Sequence, residues 1–138
     1  MKKIMILIMI LLISGCNLNK DFKTICIKEE KSPYFNEIRT FNIYFNSSDE
    51  ITKIEENYRY ELIDKNKKDS ILYAKKALSN YTNSRNYTSI INEENENIYD
   101  VTYILDVKNL KDDQLKNINI TRYYYDQIKV YKNNMKCN

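Results

Sequence analysis

The chain contains no histidine and no tryptophan, and only one glycine and one proline among 138 residues. Each shortage closes off chemistry. Without histidine, Ser–His and Cys–His nucleophile pairs and imidazole metal sites are excluded. The single glycine, Gly15, leaves no phosphate-cradling loop and no dinucleotide-binding fingerprint. Long apolar runs are lacking as well. The stretch 4–13 has ten apolar residues, about half of the ~20 that a membrane-crossing helix needs, so no permanent span is expected. Charge of one sign is not concentrated: 22 Lys and Arg face 19 Asp and Glu, and two of the bases are Lys2 and Lys3. That balance argues against nucleic acid as a partner and against a polybasic grip on anionic lipid.

What is abundant is Asn, Lys, Ile and Tyr, the residues of AT-rich codons. The 13 tyrosines suit half-buried strands and also a sugar-binding surface. Four Asn-x-Ser/Thr triplets, beginning at Asn46, Asn80, Asn86 and Asn119, match the glycosylation acceptor and are read as coincidence.

The N-terminus has three parts: Lys2 and Lys3, the apolar run, then Ser14, Gly15 and Cys16. That order is the pattern of a secretory signal peptide. An ordinary cleavage site has no use for a thiol, and the segment 13–16, "ISGC", resembles the bacterial lipobox. The resemblance implies that Cys16 receives a diacylglyceryl group and that the chain is cut between Gly15 and Cys16. Ile13 stands where Leu is most common. On this reading residues 1–15 are a lipoprotein signal peptide, 16–23 a lipidated tether and 24–138 one domain. The domain would sit on the extracytoplasmic face of the cell membrane. Two acyl chains, palmitate among them, hold stably where one holds only marginally.

With Cys16 assigned to lipid, Cys26 and Cys137 remain, one near each end of the domain. On the oxidising side of the membrane they can form one intramolecular disulfide. Two free thiols are the alternative, and two cysteines without histidine are too few ligands for zinc. The disulfide is favoured.

Periodicity organises the remainder. Residues 24–30 read as a short strand carrying Cys26, followed by a turn at Pro33. In 37–45, Phe41, Ile43 and Phe45 share one side, and in 51–62, Ile54, Tyr58, Tyr60 and Leu62 do. Two alternating runs across the polar loop "NSSDE" predict a β-hairpin. Asn66 marks a helix start, and Ile71, Ala74, Leu78 and Tyr81 recur at helical spacing up to a stop at Asn83. "TSII" is a short strand and "NEENEN" an acidic loop. The clearest strand is 98–107, with Tyr99, Val101, Tyr103, Leu105 and Val107 on one face. Asn109 is expected to cap one further helix and Thr121 the last, whose Tyr124, Ile128, Tyr131 and Met135 form a stripe. The expected fold is α+β: an antiparallel β-sheet of about four to five strands with two to three helices packed on one face, the other face staying wet.

The lipobox, an early cysteine on a strand, and a tyrosine-rich last helix ending in "VYKNNMKCN" together resemble the small YehR-like lipoproteins of low-GC Gram-positive bacteria. In those relatives the terminus reads like "YYEKQGYxC", so Cys137 matches their last cysteine and Asn133 or Asn134 stands where they have glycine. The resemblance supports the fold and the disulfide and implies no activity.

Carboxylate pairs are plentiful: Glu55–Glu56, Glu93–Glu94 and Asp112–Asp113. A hydrolase would need two of them facing each other across a cleft; adjacent acids in a charged chain are expected to be solvated. Glu93, Glu94 and Glu96 lack the spaced Asp/Asn-Gly pattern of a calcium loop. No catalytic, cofactor-binding or metal-ligating residue is assigned. The expected role is a non-catalytic binding or interaction module at the cell envelope with a protein or peptide partner. An accessory or chaperone-like subunit of a membrane complex is the alternative, and a carboxylate-based hydrolase comes third.

Overall fold

The computed structural model describes residues 21–83 and 87–138. Cys16, Gly15 and the expected signal peptide lie outside these residues. Six strands form one antiparallel sheet: β1 (Phe22–Lys31), β2 (Phe35–Phe45), β3 (Ile51–Leu62), β4 (Thr88–Glu94), β5 (Ile98–Leu105) and β6 (Lys136–Cys137), in the order β4-β5-β3-β2-β1-β6. Three helices accompany it: α1 (Asp69–Asn83), α2 (Asp112–Asn117) and α3 (Tyr124–Lys132). This is the expected α+β architecture with one strand more than the alternation suggested. The addition is β6, whose two residues are too few to show a period.

The strands form where apolar residues alternate. Ile43 on β2, Ile54 on β3 and Leu105 on β5 stand in one cross-strand row, and all three are buried. Tyr99, Val101 and Tyr103 continue that face of β5. Val107 is also buried, but the chain has already left the strand for a 3-10 turn over Val107–Asn109. The expected strand to residue 107 is therefore two residues too long. At the other end, β1 begins at Phe22, so the last residues of the expected tether belong to the sheet.

Helix starts differ from expectation for local hydrogen-bonding reasons. Asp64, not Asn66, caps the first turn, accepting from the Asn66 backbone N–H at 2.9 Å ahead of a 3-10 turn; α1 begins at Asp69. It ends at Asn83 as expected, with Ile71 and Leu78 buried and Tyr81 at the rim. Asn109 lies in the 3-10 turn instead of capping α2, whose first turn is closed by Gln114 Oε1 accepting from the Lys111 N–H at 2.8 Å. Thr121 sits two residues before the Tyr123 cap of α3 and donates its N–H to Gln127 Oε1 at 2.8 Å.

The glycine shortage shows in two places. Asp49 and Asn119 take positive φ values of 65° and 56°, left-handed positions that short polar side chains tolerate better than bulkier ones. Asp49 closes the β2–β3 hairpin, where Asn46 Oδ1 accepts from the backbone N–H groups of Ser48 and Glu50. That hairpin also seats α3: the Ile51 N–H donates to the Arg122 carbonyl and the Tyr124 N–H to the Asp49 carbonyl, each at 2.8 Å.

The outward face of the sheet is polar and hydrogen-bonded. Arg59 pairs with Glu61, Glu93 and Asp100, and Asn57 donates to Asp100 at 2.6 Å. Burial raises the Asp100 pKa, but the donors Asn92, Asn57 and Arg59 outweigh it and hold the carboxyl below its ordinary value.

Candidate binding groove

Alternation on β2 and β3 sends Glu37, Phe41, Tyr58 and Tyr60 to the side that carries the helices, where all four are buried, and α1 and α3 leave a gap above this layer. The result is an open groove of ≈ 470 Å³ between the two helices. Phe41, Tyr58 and Tyr60 make its floor, Leu78 and Tyr81 one wall, and Val130 and Tyr131 the other; Lys28 and Arg39 stand at the β1–β2 side. A smaller recess of ≈ 140 Å³ continues from it towards Glu56 and Gln127. Aromatic edge-to-face contacts of Phe41 with Tyr58 and with Tyr131 fix the floor.

Two carboxylates share this inward face with the aromatic residues. Glu37 accepts from the Tyr60 hydroxyl at 2.8 Å and from Arg39 Nε at 2.5 Å. Glu56, only 1 % exposed, accepts from the Tyr58 hydroxyl at 3.0 Å and the Tyr87 hydroxyl at 2.6 Å. Buried carboxylates are costly unless such donors replace water. The expectation that adjacent acids are solvated thus fails at Glu56. Glu55 points to the wet face, where Lys53, Tyr44 and Asn42 donate to it, and the pleat turns its neighbour inward. The signal was present in the alternation, since Glu56 occupies the inward position between Ile54 and Tyr58. The same alternation places Glu37 and Arg39 in phase with Phe41, although the sequence reading names only Phe41, Ile43 and Phe45 on that side.

These hydroxyls respond to their surroundings. Burial, and next the Glu56 charge, pushes the Tyr58 phenol well above its usual value. Burial and then the Glu37 charge do the same to Tyr60. Burial followed by Tyr103 lifts Tyr99 to about 12. A phenol whose folded pKa is raised contributes stability that is complete below the unfolded value of about 10 and is lost as pH rises through the folded value. The fold should therefore weaken above about pH 10, with late phenolate absorbance rising together with loss of ellipticity. Full ellipticity well beyond pH 12 would contradict this.

The other acids nominated by sequence are dispersed. Glu93 pairs with Arg59, Glu94 with Lys75 and Glu96 with Lys68, three cations on three different elements. Asp112 pairs with Arg122, and Asp113 is exposed. Among the described residues, no three of Cys, Asp and Glu gather where they could hold a metal ion, and no helix is long and apolar enough to cross a membrane. Cys26 and Cys137 are opposed across β1 and β6 at disulfide distance, with an S–S separation of 2.02 Å. Of the tyrosines, Tyr58, Tyr60, Tyr99 and Tyr103 belong to the core, while Tyr34 in the β1–β2 turn, Tyr73 on α1, and Tyr123 and Tyr125 at the start of α3 are exposed.

The chain matches no protein-family model and no curated protein. The solved NMR structure of a protein from Streptococcus pneumoniae TIGR4 is similar to it with a TM-score of 0.55 at 9 % identity. The match covers 90 % of this chain and 88 % of that one. At such identity the likeness is one of fold.

Proposed function

We propose that this chain is a lipid-anchored protein of the extracytoplasmic face of the cell membrane that serves as a non-catalytic binding module. The anchor is read from the N-terminal sequence ending at Cys16, and the open aromatic groove between α1 and α3 carries the binding role. Its ≈ 470 Å³ falls in the range of sites that take a small molecule or a peptide side-chain cluster. Its floor is fixed in advance by the carboxylate–tyrosine contacts, which lowers the ordering cost of binding. The buried acids support this reading over hydrolysis. Glu37 is opposite Tyr60, four residues along β3 from Glu56, a backbone offset of roughly 13 Å at strand rise, and each carboxylate is already engaged by tyrosine hydroxyls. Paired hydrolytic carboxylates stand about 5–9.5 Å apart.

Crosslinking on intact cells followed by recovery of the chain should bring down an envelope protein or peptide. Recovery of none would count against the binding role and equally against an accessory-subunit role. The anchor is tested separately. Cys16→Ser should leave the precursor without lipid and shift it from the detergent phase to the aqueous phase, and unchanged partitioning would remove the anchor from the proposal.

A further inference from the structure

The strand β4 ends the sheet: among the described residues it pairs only with β5, leaving one row of its backbone N–H and C=O groups without a ladder partner. Edge strands usually hide such a row or blunt it with charge. Here the apolar part is the first half, with Ile90 and Ile91 at 50 % and 56 % exposure, while a register shift after Ile91 and the charges of Glu93 and Glu94 blunt the second half. On the helix side, α1 lies over β3 and β5 and meets β4 through the Lys75–Glu94 pair, with Ile91 still exposed. That leaves a cleft of ≈ 580 Å³ between α1 and the edge, to which Leu72, Ile91, Tyr99 and Tyr103 contribute apolar surface. Leu72 is 63 % exposed although it faces this cleft. Among the described residues, the charged side chains lining the cleft are Lys75 and Lys76. Lys75 is held by Glu94 and lies over the Tyr99 ring, 4.9 Å from its centroid. Lys76 is exposed and forms no ion pair among the described residues.

We infer that the β4 edge and the α1 cleft together take an extended peptide segment. It adds as a seventh strand, sends alternate apolar side chains over Ile91 against Leu72, and places an acidic side chain at Lys76. The backbone row supplies affinity and the cleft supplies selectivity, as in strand addition beside a helix. An acidic side chain fits at Lys76, which forms no ion pair among the described residues, whereas Lys75 is already engaged by Glu94. This inference rests on the proposed binding role and gives it a partner class, at a site separate from the α1–α3 groove.

The test uses the full chain in detergent and a fluorescent, terminally blocked heptapeptide alternating valine with aspartate and threonine. Anisotropy should show saturable binding. Lys76→Glu and Ile91→Lys change exposed side chains, so melting should be unaltered while affinity falls by about tenfold or more. A peptide with lysine in place of aspartate should bind correspondingly worse. Equal binding by the wild-type chain and Lys76→Glu would overturn the inference, as would no binding at millimolar peptide. It would also be overturned if the chain instead dimerised through β4, with Ile91→Lys restoring the monomer. If crosslinking on cells recovers a partner equally well with both variants, the edge site fails while the binding role stands.

Discussion

Reduction of the Cys26–Cys137 bridge should lower the melting temperature by roughly 15 °C or more, as should the double substitution of both cysteines by alanine. The bridge joins positions separated by 111 residues, so it closes nearly the whole domain. A closed loop of that order removes about 4–5 kcal/mol of unfolded-state entropy in the chain-entropy model, a large part of the 5–15 kcal/mol typical of a domain. The local fold offers little to replace it. The strand β6 has two residues, and beyond the sulfur link its pairing with β1 is supplemented by the Asn138 N–H donating to the Ile25 carbonyl at 3.1 Å. Reduction should therefore first release the C-terminus, seen as rapid exchange of the amides after Asn134, and then lower the melt. Superimposable melts with and without reductant would show that the sulfurs are not bonded in the protein.

Ile54→Ala should cost about 2–5 kcal/mol, shifting the urea midpoint with no change of slope. Ile54 is fully buried on the central strand β3, flanked in its row by Ile43 and Leu105, which are equally enclosed. Strands on both sides and the helices above prevent collapse into the cavity. Ile104→Ala is the control: Ile104 neighbours Leu105 in sequence but lies half-buried on the polar face and should cost about 1 kcal/mol or less. Similar losses at the two sites would mean that the sheet does not bury the face assigned to it.

The contrast between Ile54 and Ile104 also shows what was legible in advance. Wherever one face is buried, a period of two records it, so β2, β3 and β5 and their inward residues could be read directly. The stripe Ile71, Ala74, Leu78 did the same for α1. Three things left no such record. The pairing of β6 is decided by covalent closure and not by hydrophobic pattern. Val107 keeps the inward phase of β5 although the backbone has turned into a 3-10 helix, so apolar phase outlasted the strand. Glu56 was legible in position but not in chemistry: its burial depends on hydroxyls from Tyr58, two residues on, and from Tyr87, far along the chain. The groove itself is a gap between α1 and α3, and spacing along one helix says nothing about its distance from another.

The bridge between the first and last strands also determines how the domain bears load. Cys26 lies four residues into β1, and β1 is the first element after the N-terminal segment. Tension drawn on that end would peel Phe22 to Ile25 from β2 and then meet the sulfur link. From there the pull is shared with the C-terminus and with the helix α3 that precedes it. A force applied at the N-terminal end is, in this arrangement, carried to the C-terminal end of the domain as soon as four residues of β1 have been lifted.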